Sequence, residues 1–262
     1  MQTRHANVSQ YFHEQVTTTE RYVIPYISKV KPIAAQMRVL EIGCGEGGNL
    51  LPFLQMDCEV TGNDIMPGRI ANAHKYLKEQ QYTGRLELIS EDIYNCDHRL
   101  GLFDIIIMRD VIEHIHNQER FMAFVKQFMA EDAVFFLAFP PWYNPFGGHQ
   151  QICKSRVLSK LPFFHLLPAT LYRAVLRLFG ESQKTIDDLL EIKQTGISIE
   201  RFERIAMKEN YSIARKTLYF INPNYEAKFG MKPRTQWAFV SAIPFVRNFF
   251  VTAGYYALQH KR

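Results

Sequence analysis

The chain of 262 residues is 47% apolar and 22% charged, with 20 phenylalanines and 13 tyrosines, a composition that suits one large globular domain or a domain with an elaborated cap. Its four cysteines, Cys44, Cys58, Cys96 and Cys153, are widely spaced and form no C-x-x-C, so neither a zinc site nor a disulfide scaffold is indicated and no metal ligand set is expected. The formal charge of +5 is uneven, with 13 Lys/Arg against 18 Asp/Glu in residues 1–150 and 18 against 8 in residues 151–262, so the second half is the part suited to an anionic partner, if it is not simply a solvated basic surface.

Taken in order, residues 1–37 precede the first strand. Their polar start lacks the apolar core of a signal peptide. Thr17-x-x-Glu20 has the form of a capping box opening a helix to about Lys29, with Tyr22, Val23, Tyr26 and Ile27 on one face. Arg38 to Ile42 is a short apolar run with β-branched residues, as one buried strand requires. It breaks into Gly43-Cys44-Gly45-Glu46-Gly47-Gly48, and Asn49 to Leu54 begins a helix that tolerates Pro52 in its first turn. Strand, glycine turn and helix N-terminus together predict a cradle of free N–H groups for a polar or anionic ligand. The same residues satisfy G-x-G-x-x-G, so a dinucleotide remains an alternative ligand at this point.

A second strand, Cys58 to Asp64, ends in an acid. Pro67 opens a helix with Ile70, His74 and Leu77 at helical spacing. Leu86 to Ile89 is a third strand, closing at Ser90-Glu91-Asp92-Ile93. Phe103 to Met108 is a fourth, apolar after Asp104 as a buried parallel strand should be. A helix over Gln118–Ala130 turns Phe121, Phe124, Val125 and Phe128 inward. A fifth strand runs from Ala133 to Phe139 and stops at Pro140-Pro141. The longest apolar run, Ala133 to Trp142, is too short to span a bilayer, and a reducing cytoplasm is the expected location.

Residues 141–195 break the alternation. Pro162 and Pro168 divide an apolar, basic stretch into short helices, and residues 151–180 hold five Lys/Arg and no acid. Over Ala169–Leu178, Leu171, Val175 and Leu178 fall on one face and Arg173 and Arg177 on another, the pattern of a basic amphipathic helix able to meet a membrane. Ser198 then caps a helix to about Glu209, Tyr211–Ile221 and Val251–Leu258 read as strands, and a loop with a helical piece around Trp237 lies between them. Alternating strands and helices with short loops make a doubly wound parallel α/β sheet, and its ligands gather at the carboxyl ends of the strands. Here those ends are Gly43, Asp64, Asp92 and Arg109-Asp110.

Glu41-x-Gly43-x-Gly45-x-Gly47, Asp64, Glu91-Asp92-Ile93 and Phe103-Asp104 followed by Asp110-Val111-Ile112-Glu113-His114-Ile115 together resemble the class I S-adenosylmethionine-dependent methyltransferases. The last stretch is most similar to the branch containing quinone-biosynthesis and many small-molecule enzymes. The likeness covers about residues 36–140, with a helix, strand and strand at 198–260 that resemble the family's closing pair. It implies a Rossmann-like sheet of about seven strands with a terminal antiparallel β-hairpin and a helical cap insertion. The corresponding divisions are 1–37 for an N-terminal helical cap segment, 38–140 for the donor-binding core, 141–195 for the substrate cap and 196–262 for the rest of the sheet.

By the same resemblance the donor is S-adenosylmethionine and the product S-adenosylhomocysteine. The backbone at Gly43, Cys44, Gly45 and Gly47 approaches the methionine part, and Glu41 lies close to its amino acid end. Asp64 accepts from both ribose hydroxyls, Asp92 from the adenine amino group, Ile65 and Ile93 sandwich the ring, and the Arg109 backbone nears the ammonium. Methyl transfer from a sulfonium needs alignment and exclusion of water more than a base. For an oxygen acceptor, His114 and His149 are the candidate bases, and Asp110 is a candidate hydrogen-bond acceptor for substrate. Tyr11, Tyr22, Trp142, Tyr143 and Phe146 lie in segments expected to close over a flat, lipid-like or anionic small molecule, or to pack the cap's own core. No nucleic-acid partner is expected, since no Asn-Pro-Pro-Tyr motif follows the fourth strand. Nucleic-acid methylation, a non-catalytic donor-binding module and a nicotinamide oxidoreductase stand as the alternatives.

Overall fold

The computed structural model describes residues 8–96 and 100–261. A helix, α1 (Val8–Thr18), continues through a π-turn (Thr19–Val23) into α2 (Ile24–Ser28). The helix therefore starts well before Thr17, which lies inside it, so the expected capping box is not the start. Pro25 at the head of α2 supplies no N–H to the preceding turn, and the wider π-turn takes up that loss. Val23, Tyr26 and Ile27 are buried as the spacing predicted.

The sheet has eight strands: β1 (Arg38–Ile42), β2 (Glu59–Asn63), β3 (Arg85–Ile89), β4 (Phe103–Arg109), β5 (Met129–Phe139), β6 (Tyr211–Ile221), β7 (Arg234–Thr235) and β8 (Ala253–His260). Their order is β3-β2-β1-β4-β5-β8-β6-β7. β1 to β5 are parallel, while β8 runs antiparallel between β5 and β6. The closing pair expected from 211–221 and 251–258 is thus β6 and β8. The extra strand is the two-residue edge β7, too short to carry a periodicity. The expected helix over Gln118–Ala130 ends sooner: α5 (Gln118–Val125) gives way to a 3₁₀ turn, and Met129 and Ala130 already belong to β5.

Alternation along β4 and β5 sends side chains to both faces. Ile106, Met108, Phe135, Leu137 and Phe139 enter one core with Phe121, Val125, Phe202 and Tyr256. Ile105, Ile107, Val134, Phe136 and Ala138 enter the other with Phe12, Tyr26, Phe53 and Leu77. The crossover helices α3 (Leu51–Gln55) and α4 (Pro67–Lys78) cover that second face. Each fully buried large side chain contributes roughly 1.5–3 kcal/mol, so both layers pin the strand register.

Residues after β5 carry a smaller core of their own, in which Leu158, Phe164, Tyr172, Leu176, Ile186, Leu189 and Leu190 meet. Its helices are α6 (Ala169–Leu178) and α7 (Gln183–Thr195). α6 buries Tyr172 and Leu176 and leaves Leu171 and Leu178 exposed with Arg173 and Arg177, so its apolar face is set differently from the expected Leu171–Val175–Leu178 stripe. α8 (Ile199–Lys208) begins where Ser198 accepts the Arg201 N–H. α9 (Asn224–Phe229) and α10 (Ala238–Ser241) complete the insertion between β6 and β8. No helix among the described residues is long and apolar enough to cross a membrane.

Candidate functional site

Strand order reverses between β1 and β4, and the crevice there opens at the strands' carboxyl ends. β1 ends in the glycine turn. At Gly43 φ is +74°, and a Cβ would stand 2.5 Å from a Val111 methyl, so both conformation and space demand glycine. Gly45 has φ +55° with nothing within 4 Å of a would-be Cβ, so this glycine keeps its surroundings open.

Four of the turn's six N–H groups, those of Gly43, Cys44, Gly45 and Gly47, are taken within the chain and do not form the expected cradle of free donors. Gly43 and Cys44 both donate to the Asn63 carbonyl at 2.8 and 2.9 Å, Gly47 donates to Cys44, and Gly45 donates to Asp64 Oδ2 at 2.9 Å. A turn with most of its donors already used is poorly suited to a phosphate; what it offers is close backbone approach. The Cys44 side chain is fully buried in the core, so only its backbone faces the crevice.

Asp64 is buried at the tip of β2, and its other oxygen accepts the Met66 N–H at 2.9 Å. Arg69 lies 3.8 Å from it. Asp64 therefore ties the glycine turn to the β2–α4 turn. Ile65 beside it is 63% exposed, whereas Ile93 is buried in the core. Asp92 caps the short turn at Ile93–Asn95 through a bond from the Tyr94 N–H.

Glu41 is the most confined acid of the crevice. Its Oε1 accepts from Asn49 Nδ2 at 2.6 Å, and its Oε2 is buried without a hydrogen-bond partner. Burial pushes its carboxyl up to about 8, only partly opposed by the Asn49 bond and the Arg109 charge. The Asn49 oxygen in turn accepts from Thr19 Oγ1 and from Arg109, whose guanidinium also donates to Asn224 of α9. Asn49, Thr19 and Asn224 were not singled out in the sequence. The only signal for Asn49 was its place just after the glycines. A polar cavity at this end is lined by Tyr11, Gln15, Asn49, Arg109, Asp110 and Asn224, among others.

Beyond β4 the chain turns at Asp110, which is exposed with φ +54°, and then forms a 3₁₀ turn at Ile112–His114. Thr195 Oγ1 donates to the Glu113 carbonyl and Gln118 Nε2 to that of Ile112, fixing the turn against the end of α7. His149, also left-handed at φ +54°, arrives from the loop after β5. The His114 and His149 rings are 5.0 Å apart, edge to face, and His149 Nε2 is 3.9 Å from Glu113 Oε1. Burial lowers the His114 pKa below the usual histidine value, against the opposing Asp110 charge. The two sequence-predicted histidines thus converge, joined by Glu113. Trp142 is not free to cover a ligand: it packs on His165 and fills the space above Gly196. Tyr22 bonds Glu226, and Tyr143 sits on Phe249. Of the aromatic residues considered, Tyr11 reaches the cavity.

A family model described as a methyltransferase domain matches residues 12–150. The ubiquinone biosynthesis O-methyltransferase of Rickettsia felis is 28% identical over 102 residues, covering 38% of this chain and 40% of that one. The (S)-tetrahydroprotoberberine N-methyltransferase of Eschscholzia californica is 32% identical over 105 residues, covering 38% and 28%. The chain thus spans about two fifths or less of these curated relatives. Among solved structures, the magnesium protoporphyrin IX methyltransferase of Synechocystis PCC 6803 with bound SAH superposes with a TM-score of 0.52 at 16% identity, over 94% of this chain and 84% of that one, a likeness of fold.

Proposed function

The chain belongs to the methyltransferase-domain family, and from that premise we propose that it transfers the methyl group of S-adenosylmethionine to an oxygen of a small molecule, releasing S-adenosylhomocysteine. The observation that carries the donor assignment is Asp64, a buried carboxylate at the tip of β2 bonded to the glycine turn of β1. In this proposal it holds the ribose hydroxyls of a nucleoside lying across the strand tips, since a carboxylate has acceptor sites beyond the two it uses in the chain.

In this proposal the backbone of Gly43, Cys44, Gly45 and Gly47 lines the methionine part. Glu41 with Asn49 faces its amino acid end, and the Arg109 backbone is near its ammonium. Ile65 lies on one face of the adenine, Ile93 supports the other from the core, and Asp92 meets the amino group. The oxygen assignment is supported by His114 and His149, whose rings meet edge to face, and by Asp110, whose charge acts on His114; in this proposal they lie beside the methyl and handle a hydroxyl proton. Displacement at the sulfonium then needs only alignment in a site closed to water.

The acceptor is proposed to be flat or lipid-like. Leu171, Leu178 and Phe179 are exposed beside Arg173 and Arg177, giving residues 158–180 a surface suited to an anionic bilayer that could deliver such a molecule. Four buried free cysteines fit a reducing cytoplasm.

The test is incubation of the full chain with donor labelled on its methyl, against a panel of catechols, phenols, carboxylic acids and amines. Label is expected in a hydroxyl of the panel, with S-adenosylhomocysteine formed in equal amount. Transfer to amines alone would refute the oxygen acceptor. Stabilisation of the fold by a nicotinamide dinucleotide and not by S-adenosylhomocysteine would refute the donor.

A further inference from the structure

We propose that Glu113, His114 and His149 form a binding site for a first-row divalent transition-metal ion, whose open positions take the acceptor's oxygen. This deepens the methyl-transfer proposal and rests on it only for the acceptor. Each of the three side chains offers one ligand atom, and these atoms lie within 4.8 Å of one another. Ligands about 2.0–2.2 Å from a metal stand roughly 3.0–3.5 Å apart in tetrahedral or octahedral sites, so a spacing of 4.8 Å must close by roughly 1.3–1.8 Å, through side-chain rotation. Two imidazoles and one carboxylate make a set that leaves coordination positions vacant for substrate.

The independent observation is the Glu113 carboxylate. It is 3% exposed, and both of its oxygens are buried with no hydrogen-bond partner. A carboxylate withdrawn from water without hydrogen-bond partners is costly to keep charged: it takes up a proton or is completed by a cation, and the two imidazoles beside it supply the rest of a cation's ligand set. His149 Nε2 faces the Glu113 carboxylate at 3.9 Å from Oε1, outside hydrogen-bond distance. The backbone holds the cluster ready: Thr195 and Gln118 fix the Glu113 turn, and the left-handed His149 is at the mouth of the loop after β5. Asp110 adds negative charge next to the cluster.

With a cation here, the imidazoles act as neutral ligands and not as bases. An acceptor hydroxyl bound to the metal loses its proton to solvent, because coordination lowers its pKa. The resulting oxyanion attacks the donor methyl; the O–C bond forms as the C–S bond breaks, and the sulfonium becomes a neutral thioether. Phenols and vicinal diols are the acceptor class this favours, since two adjacent oxygens can occupy two open positions.

The test begins with full-length protein stripped by a chelator and titrated with Zn²⁺, Mn²⁺ and Co²⁺ by calorimetry. One equivalent is expected to bind, with Co²⁺ producing the visible absorption of imidazole coordination. Glu113→Gln and His149→Ala are each expected to weaken that binding at least tenfold. His116→Ala, an exposed histidine of the adjacent loop, is expected to leave it unchanged. His149 lies in a loop, and the thermal melt of His149→Ala separates loss of a ligand from loss of fold. Cation binding that is absent in the parent, or equal in parent and His149→Ala, would overturn the site. S-adenosylhomocysteine binding to the stripped protein is measured alongside: its absence would sink the donor assignment and leave the metal result intact, whereas donor binding without metal binding would do the reverse.

Discussion

Glu41→Gln tests the donor's placement through a proton. Burial raises the Glu41 carboxyl from 4.5 to about 8, so at pH 7 roughly nine in ten molecules of the ligand-free protein hold it protonated. An ammonium arriving about 4 Å away, at an effective dielectric of about 20, favours the carboxylate by roughly 4 kcal/mol, or about 3 pKa units. Glu41 would then ionise with a pKa near 5. Binding of S-adenosylhomocysteine at pH 7 should therefore release about 0.9 proton, and affinity should rise close to tenfold per pH unit between roughly pH 5.5 and 7.5. Calorimetry in phosphate and in Tris at the same pH reads the released proton as a difference in apparent enthalpy. The Glu41→Gln protein, isosteric and uncharged, should show no such difference. The linkage to stability has a definite sign. Because the folded pKa is above the unfolded one, Glu41's contribution is fully present below pH 4.5 and is lost as pH rises towards 8. The ligand-free parent should lose melting temperature relative to Glu41→Gln across that interval. Buffer-independent binding enthalpy in the parent, or an equal proton release in the variant, would refute the assignment of Glu41 to the donor's amino acid end.

Asp64→Ala removes the acceptor of the Gly45 and Met66 N–H groups, and each buried N–H left unpaired costs about 1–3 kcal/mol. It should lower the melting temperature and weaken S-adenosylhomocysteine at least about 100-fold, roughly 2.7 kcal/mol; affinity within threefold of the parent would count against the ribose contact. Gly43→Ala drives a methyl to 2.5 Å from Val111, whereas Gly45→Ala meets no atom within 4 Å. Urea unfolding should show the first losing several times more stability than the second, whose left-handed backbone costs about 1–2 kcal/mol, and equal losses would contradict the packing described. Sedimentation with anionic vesicles should retain the parent at low salt and lose it when Arg173 and Arg177 are replaced by glutamate; no parent binding would remove the membrane contact.

The core strands were legible because β4 and β5 are continuous apolar runs, and a buried parallel strand leaves no other arrangement for them. The helix α7 was equally available in principle: Ser182 caps it, and Ile186, Leu189 and Leu190 recur at helical spacing, but the proline-cut stretch before it suggested irregular structure throughout. The start of α1 was hidden because its sequence is polar, with little beyond Phe12 fully buried on its inner face. At the site, the glycines and Asp64 announced themselves by spacing. The bonds that take up the N–H groups of Gly43, Cys44 and Gly45 did not, because Asn63's carbonyl and Asp64's side chain come from another strand. The same holds for Glu113 and His149, which lie on loops after two different strands. Convergence of this kind is set by β4–β5 pairing and by the tie from Thr195, not by local pattern.

The N-terminal segment is part of the Glu41 end of the crevice and not merely a flap upon it. Gly48 shows why: a Cβ there would stand 2.4 Å from the Phe12 carbonyl and 2.7 Å from the Gln15 Cβ, so α1 lies directly on the glycine turn. The contact continues through side chains, since Thr19 donates to Asn49, and Asn49 joins Glu41 to Arg109. Arg109 extends it to Asn224 on the insertion between β6 and β8. Three segments far apart in the chain thus share one buried polar chain, whose members are each other's hydrogen-bond partners. Removal of any one leaves the rest unpaired in a confined space, where the cost exceeds that of the single lost bond. The geometry that holds Glu41 is therefore fixed by packing of α1 and α9 as much as by β1: a fragment beginning at the first strand would keep Asn49 and Arg109 but lose the Thr19 bond to Asn49 and the cover of α1.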